Sequence, residues 1–328
     1  MKNKFISITL VVVLLLTVLG GCAQKTGTAL RVNEVTHSIF YAPFYAAINL
    51  GFFNEKNIKI ELTNGGGSDK SMTALLSGQA DIGFMGPETA VYVFNEGQAD
   101  YPVVIAQITR RDGSFLVGKE KDENFSFEKL RGKSVIGGRK GGMPEMTLEY
   151  ALRKNGIDPE KDLTLRTDVS FDLMGGAFMS GADDYVALFE PSASTMEMAN
   201  EGYIVASVGA ETDFVAYTAM MVLGSFRDKN KQTVQDFVDA IAKGQKWVNE
   251  HSAEEVADAI APSFPDSDRE LIKKVVSNYK SIDAWNTTPK LEKSNFDQLL
   301  KVISDAGIDV KNADYSKIVD NSFAEKVK

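Results

Sequence analysis

The sequence alternates between short apolar runs and amphipathic segments on short connections, and this alternation restricts the fold more than any other feature. Strands are predicted over 29–35, 59–63, 81–85 and 103–108. Helices are predicted between them, over 42–50, from Ser68 or Asp69 to Ser77, and from Pro87 to Asn95. Strands that alternate with helices in this way form a parallel sheet with helices on both faces.

The same pattern occurs a second time, and a helical tail follows it. Strands are predicted over 134–137, 163–167, 185–188 and 204–208, with helices over 143–154, 171–180 and 191–201. The chain from Phe226 onward has helical periodicity. Segments 110–116 and 213–222 are predicted to cross between the two units, so the second unit is inserted into the first. The predicted fold is α/β, with two doubly wound lobes, a two-strand hinge, an interlobe cleft and a helical C-terminal tail.

The first 22 residues have the features of an export signal. Lys2 and Lys4 precede an apolar stretch over 5–19, which leads through two glycines to Cys22. The stretch is shorter than the roughly 20 apolar residues that a membrane span needs. An ordinary signal peptide with a chance cysteine is the alternative, but the residues before Cys22 favour a lipoprotein signal. We therefore predict lipid on Cys22 and attachment to the extracytoplasmic face of the cell membrane.

Charge and residue counts exclude several classes of function. The net charge is −9, and an acidic surface disfavours binding of nucleic acid. Cys22 is the one cysteine, so no thiol remains for a disulfide once it carries lipid. The two histidines, His37 and His251, argue against zinc sites and most histidine-based catalysis. We therefore predict no metal, no cofactor and no catalytic residue.

Three segments resemble one family of bacterial proteins in the same order along the chain. They are 36–53 (THSIFYAPFYAAINLGFF), 75–84 (LLSGQADIGF) and Phe189-Glu190-Pro191. The family comprises the solute-binding proteins for sulfonates, nitrate, taurine and thiamine-pyrimidine precursors, which deliver their ligands to ABC importers. The resemblance covers nearly the whole mature chain.

The resemblance implies the two-lobed periplasmic-binding-protein fold of type II. Lobe 1 is then 29–112 plus 218–328 and lobe 2 is 113–217, after a signal peptide over 1–21 and a tether over 22–28. It also implies a small-molecule ligand, an ABC permease and an ATPase as partners, and no enzymatic activity. We expect a monomer.

The residues predicted to contact a ligand lie on loops beyond the carboxyl ends of strands, where open α/β sheets bind ligands. They are His37, Ser38, Tyr41, Gly66, Ser68, Gly86 and Glu88 in lobe 1, and Gly141, Gly142, Met143, Asp172 and Glu190 in lobe 2. Free glycine amides at a helix start bind anions, although turns that need positive φ explain the same glycines. At the hinge, Arg110, Arg111 and Asp112 are interpreted as a solvated charge cluster.

Two of these acids bear on the ligand. Glu88 falls in the first turn of a helix, where an acid complements the helix dipole with or without a ligand. Glu190 is predicted at a helix N-cap, where Ser, Thr, Asp or Asn would be better, so a hydrogen bond to a ligand amine is a second explanation. Acids beside aromatic rings favour an aminopyrimidine, or a similar ring that bears an amine, over a sulfonate, taurine or nitrate.

Two functions of other classes are compatible with the same fold. The sequence distantly resembles thiamine-pyrimidine synthases, but it lacks their cysteine cluster and has an export signal. A sensory lipoprotein could use the same cleft. A binding protein that captures a small nutrient for an ABC importer is the function that we predict.

Overall fold

The computed structural model describes residues 27–327, so Cys22 and the predicted signal peptide lie outside the described range. The first four strands and three helices alternate. They are β1 (Thr28–Glu34), α1 (Ala42–Asn49), β2 (Ile58–Asn64), α2 (Ser68–Leu76), β3 (Ile82–Met85), α3 (Glu88–Asn95) and β4 (Pro102–Thr109). Gly51 and Gly78 follow α1 and α2 with positive φ, as expected of glycines that end helices.

The second unit contains five strands and four helices. They are β5 (Ser114–Gly118), β6 (Ser134–Ile136), α4 (Met143–Lys154), β7 (Thr164–Arg166), α5 (Met174–Met179), β8 (Tyr185–Phe189), α6 (Ser192–Met198), β9 (Tyr203–Ser207) and α7 (Val208–Glu211). The predicted bounds of α4 agree with the structure. The predicted helix over 171–180 is instead a 3-10 turn, Phe171–Leu173, followed by α5.

The chain then returns to the first unit as a strand and continues as the helical tail. These elements are β10 (Thr218–Leu223), α8 (Gly224–Lys229), α9 (Lys231–Glu250), α10 (Ala253–Ile260), α11 (Arg269–Ser281), α12 (Lys293–Asp305) and α13 (Tyr315–Ile318). Further 3-10 turns span Ile39–Tyr41, Asn54–Lys56, Phe127–Leu130, Ala261–Ser263 and Ala324–Lys326. Over 27–327, no helix combines the length and the apolar character that a bilayer span requires.

The strands form two five-stranded sheets, in the orders β2-β1-β3-β10-β4 and β7-β6-β8-β5-β9. We call the first sheet with its helices lobe 1 and the second sheet with its helices lobe 2. The two-lobed α/β fold with a helical tail agrees with the sequence prediction. The exact lobe limits stay a prediction.

Each sheet is mixed, whereas the sequence predicted parallel sheets. β10 runs antiparallel to β3 and β4, and β5 runs antiparallel to β8 and β9. Both strands begin directly after the chain has crossed the hinge. A strand that enters from the hinge starts at the edge where its parallel neighbours end, so it has to run in the opposite direction. The segments that actually cross the hinge are therefore shorter than the predicted ones, because the later part of each predicted crossing belongs to β5 or β10.

The hydrophobic core continues from lobe 1 into lobe 2. One cluster of buried side chains includes Phe40 and Phe84 of lobe 1 together with Phe115, Met146 and Leu188 of lobe 2. A second cluster, which includes Leu116 and Leu148, covers the other face of the lobe 2 sheet. Because the larger core spans both lobes, the lobes are closed on each other.

Candidate functional site

Aromatic rings from both lobes and from the hinge meet where the lobes close. The Phe40 ring lies 5.7 Å from that of Phe189 and 5.8 Å from that of Tyr217, between ring centroids. The Tyr41 ring packs 4.4 Å from that of Phe84. Ser38 caps the turn that carries Phe40 and Tyr41, and its hydroxyl donates to the carbonyl oxygen of Glu190 at 3.4 Å. The structure thus places Ser38 and Tyr41 at the interface between the lobes.

Glu88 is a buried carboxyl group at the start of α3. The residue is 3% exposed, and its Oε2 atom has no hydrogen-bond donor among the described residues. Burial raises the pKa of Glu88 to about 8. The carboxyl group folds back over Gly86, where a Cβ atom would overlap it, so Gly86 permits this position. A helix dipole accounts for an acid at this point in the sequence, but it does not account for an unpartnered buried oxygen.

Asp112 at the hinge is fully buried, so the interpretation of 110–112 as a solvated cluster is wrong for this residue. Its carboxylate accepts hydrogen bonds from the Ser114 amide and hydroxyl groups and from the Thr147 hydroxyl. Burial raises the pKa of Asp112, although these hydrogen bonds oppose the shift. The two arginines bind elsewhere: Arg110 pairs with Asp283 at 2.7 Å, and Arg111 donates to backbone carbonyl groups. Both guanidinium groups lie over the Phe214 ring, at 4.3 and 4.5 Å from its centroid, apart from the Asp112 bonds.

Glu190 joins the two lobes. The N-cap of α6 is Pro191, and not Glu190 as predicted, because the helix begins one residue later. The Glu190 carboxylate accepts from the Ser194 amide at 2.9 Å and the Ser194 hydroxyl at 2.7 Å. It also accepts from Asn278 Nδ2 of α11, in lobe 1, at 2.6 Å. These bonds explain the residue without a ligand, and its contact with a ligand stays a prediction.

His37 faces the tail. Its Nδ1 atom lies 2.8 Å from Glu34 Oε1, and its Nε2 atom lies 2.8 Å from the carbonyl oxygen of Ser263. The hydrogen bond with Glu34 raises the pKa of His37, against the effect of burial. Glu34 Oε2 accepts from the Tyr45 hydroxyl. The structure therefore does not bring His37 together with Ser38 and Tyr41.

The glycine loops satisfy many of their own amides. The Gly66 amide donates to Asn64 Oδ1 and the Gly67 amide to the Val35 carbonyl oxygen, while Ser68 begins α2. In lobe 2, the Gly141 amide donates to Glu145 Oε2 and the Gly142 amide to the Arg139 carbonyl oxygen. These bonds occupy the amides that an anion cradle would use. Binding of a ligand by these loops stays a prediction.

In lobe 2, the first turn of α4 reaches the interface, whereas Asp172 does not. Met143 is 3% exposed, and Asp172 lies on an exposed turn. Glu145, one turn into α4, is 1% exposed, and burial raises its pKa to about 7. The Tyr92 hydroxyl of lobe 1 contacts Met146 Sδ at 3.9 Å.

Sequence reasoning did not single out Glu145, Tyr92 or Tyr217. Tyr217 is buried, and its hydroxyl group has no hydrogen-bond partner within 27–327. Glu145 follows the glycine loop by one helical turn, which was an available signal. Tyr92 lies four residues after Glu88, so both are on one face of the helix, and this spacing was a second signal in the sequence. Tyr217 lies in a crossing segment, where periodicity gives no signal.

The closed interface contains acids without matching bases. Among residues 27–327, the buried carboxylic acids at or beside it are Glu34, Glu88, Asp112, Glu145, Glu149 and Glu190, and no buried lysine, arginine or histidine occurs. Of these, Glu34 and Glu149 pair with His37 and Arg153, which are not buried. Buried charges are normally paired or neutralised by protonation. The site is thus suited to a solute that supplies positive charge or hydrogen-bond donors.

The fold and this interlobe site define a two-lobed binding protein. The sequence pattern of the family described as "NMT1/THI5 like" matches residues 39–255. The curated Bacillus subtilis (strain 168) protein named "Putative binding protein YtlA" is 42% identical over 316 residues, which cover 96% of this chain and 95% of that protein. The chain belongs to the NMT1/THI5-like family, and this relative carries the name of a binding protein rather than of an enzyme.

Solved structures confirm the fold. The ligand-binding component of an ABC-type import system from Staphylococcus aureus, with zinc bound, has a TM-score of 0.72 at 16% identity, and the match covers 92% of this chain and 99% of that one. The alkanesulfonate-binding protein SsuA from Xanthomonas axonopodis pv. citri, bound to MOPS, has a TM-score of 0.71 at 14% identity, with 89% and 98% covered. The predicted periplasmic-binding-protein fold is therefore confirmed.

Proposed function

We propose that this protein captures a small solute between its lobes and delivers it to the permease and ATPase of an ABC importer. The family membership and the fold support this role. The solute stabilises the closed form, and the permease recognises that form. The protein acts as a monomer on the extracytoplasmic side of the cell membrane, held by lipid on Cys22.

We further propose that the solute bears an amine, with an aminopyrimidine precursor of thiamine as the preferred candidate. The observation that carries this choice is the unpartnered, buried Oε2 atom of Glu88 beside aromatic rings. An amine donor would satisfy that oxygen, and a flat ring would stack on its aromatic neighbours. A sulfonate or nitrate would leave the carboxyl groups of Glu88 and Asp112 without a positively charged partner, so each would have to stay protonated.

A thermal-shift comparison tests the ligand class. Purified protein is melted with the hydroxymethyl-aminopyrimidine precursor of thiamine, with taurine and with nitrate. A solute that binds only the folded protein adds about 2.7 kcal/mol of stability at a hundredfold excess over its Kd. We expect the pyrimidine to raise the Tm. A rise with taurine or nitrate alone would contradict the proposed ligand and leave the transport role standing.

A substitution at Glu88 tests its part in binding. Glu88→Gln should weaken pyrimidine binding at least about tenfold, because hydrogen bonds to charged groups contribute about 1.5–3 kcal/mol. Glu96→Gln, at the exposed end of the same helix, is the matched control and should bind normally. Unchanged affinity in Glu88→Gln would remove this residue from the site.

Cell fractionation and uptake test the anchor and the transport role. Cys22→Ser should move the protein from the membrane fraction to the soluble extracytoplasmic fraction. Deletion of the gene should abolish high-affinity uptake of the solute. Intact uptake in the deletion strain would contradict transport.

A further inference from the structure

Two unpartnered carboxyl oxygens come from opposite lobes. Glu88 Oε2 belongs to lobe 1 and Glu145 Oε1 to lobe 2, and neither has a hydrogen-bond donor among the described residues. The residues are 3% and 1% exposed. A buried carboxylate oxygen without a donor is costly, so each group is stabilised by a proton or a positively charged partner, although the Gly141 amide donates to the other oxygen of Glu145.

The closed lobes bring these two groups to one interface. Tyr92 lies one helical turn after Glu88 on α3, and its hydroxyl group contacts Met146, the neighbour of Glu145 in α4. This contact therefore brings the first turns of α4 near the side of α3 that carries Glu88. Burial raises the pKa of Tyr92, and the charges of both Glu88 and Glu145 raise it further.

Among residues 27–327, no basic side chain contributes to the pKa of Glu88. Burial is the main effect on its pKa, and only the backbone at the start of its own helix opposes it. The other titratable groups near Glu88 are the hydroxyl groups of Tyr41, Tyr92 and Tyr217, which are neutral. The charged side chains of α2, α12 and α13, which pack on α3, do not contribute to its pKa.

Glu145 has one further acid beside it. After burial, the neighbouring carboxyl group of Glu149 raises the pKa of Glu145 most, whereas the Gly141 amide and the charge of Lys140 lower it. Glu149 is itself paired with Arg153 at 2.6 Å. Lys301 of α12, which packs on α4, lies over the Tyr150 ring and pairs with Asp305 at 2.6 Å. Among the described residues, no ion pair includes Glu145, and Lys140 lowers its pKa only through its charge.

We propose that closure of the empty cleft takes up protons on Glu88 and Glu145, and that a cationic solute replaces those protons when it binds. Only the identity of the solute rests on the proposed function; the uptake of protons does not. A carboxyl group whose pKa is higher in the closed form favours closure at low pH, and this contribution is lost as the pH rises through that value. Above about pH 8, closure of the empty protein therefore loses this contribution, and a solute cation restores it.

Small-angle scattering of the solute-free protein tests the proton uptake. The radius of gyration should be smaller at pH 5.5 than at pH 8.5, with a ratio of closed to open molecules that changes about tenfold or more. The double variant Glu88→Gln/Glu145→Gln should remain closed at both values. Glu96→Gln/Glu201→Gln, which removes two exposed acids, should behave as the unmodified protein.

Two results would overturn the proposal: a radius of gyration that does not change with pH in the unmodified protein, or an undiminished change in the double glutamine variant. Thermal melts show whether that variant is folded. Since no solute is present, these results do not depend on the proposed ligand.

Calorimetry then tests the exchange, with thiamine, which joins an aminopyrimidine to a permanently positive ring, as the probe. At pH 7, binding heats measured in phosphate and in Tris should differ by the ionisation heat of the protons released, and the double variant should release fewer. Equal heats in both buffers would contradict the exchange. If the probe does not bind but the scattering changes with pH as expected, the proposed ligand class is contradicted and the proposed proton uptake is supported.

Discussion

Both ring nitrogens of His37 face acceptors, and the hydrogen bond with Glu34 raises its pKa, so the folded protein favours the protonated ring. One nitrogen meets the buried carboxylate of Glu34 and the other meets the carbonyl oxygen of Ser263. Phe264 covers the ring at a centroid distance of 4.7 Å. Through these contacts, His37 connects the loop that carries Ser38 and Tyr41 to the turn after α10.

We expect His37→Gln to lower stability by about 1 kcal/mol at pH 6 and by less at pH 8.5, because hydrogen bonds between charged groups contribute about 1.5–3 kcal/mol and exposure of the ring reduces this. The folded-state pKa is raised, so the contribution is complete below the unfolded value and is lost as the pH rises through the folded one. Urea unfolding at both values measures the difference. An equal loss at both pH values would show that the charge of His37 is unimportant.

At the scale of residues, the sequence was informative where a role is local. The placement of Gly86 and Glu88 after a strand and at the start of a helix agrees with the structure, and ligand contact at them stays a prediction. The burial of Asp112 was not predictable, since it depends on Thr147 of another element. The surroundings of Glu145 depend on which helix face meets the other lobe, and a single sequence does not specify that contact.

Helices α1 and α9 approach each other closely at Gly244, in the middle of α9. A Cβ atom at this position would overlap the Pro43 carbonyl oxygen and lie 2.9 Å from Ala47 Cβ. A glycine inside a 20-residue helix lowers helix stability by about 1 kcal/mol relative to alanine. The close packing of α1 against α9, which this glycine permits, offsets that loss of helix stability.

Gly244→Ala should therefore destabilise lobe 1 by about 1–3 kcal/mol, in spite of the better helix propensity of alanine. Gly176→Ala is the matched control, since Gly176 lies in α5 with no atom near its missing Cβ. The control should be neutral or stabilising by up to about 1 kcal/mol. Chemical denaturation measures both. A stabilised Gly244→Ala protein would show that α1 and α9 can move apart freely.

Among the helices and strands, those with a clear hydrophobic periodicity or a residue that marks a helix end were predicted well. The bounds of α4 and the glycines after α1 and α2 are examples. The strands β5 and β10 were missed because they lie inside segments interpreted as crossings. Phe115-Leu116-Val117 is a short apolar run of the kind that a buried strand shows, but length alone does not distinguish it from a linker.

In the whole molecule, α11 of lobe 1 holds the turn between β8 and α6 of lobe 2. Asn278 donates to Glu190, and the Tyr279 hydroxyl accepts from the Glu190 amide and donates to the Gly113 carbonyl oxygen. Lys274 pairs with Glu197 at 2.7 Å along the same contact. These bonds are made between the lobes, so they contribute to closure.

Asn278→Ala should shift the solute-free protein toward the open form, with a larger radius of gyration at pH 5.5 and about tenfold weaker solute binding. The reason is that the buried Glu190 carboxylate would lose a donor, which costs about 1–3 kcal/mol. Asn124→Ala, on the exposed surface of lobe 2, is the control. Unchanged scattering and affinity would mean that the contact does not contribute to closure.

The position of β10 has a consequence for the order in which the molecule assembles. Lobe 2 draws its five strands from one continuous stretch, 114–207, whereas lobe 1 places β10 between β3 and β4 although more than 100 residues separate β10 from β4 along the chain. During synthesis, the second sheet can thus be completed before the first, whose central gap is filled only after the ribosome has passed residue 223. Pulse-labelled hydrogen exchange should detect early protection in β6 and β8 and late protection in β3 and β4.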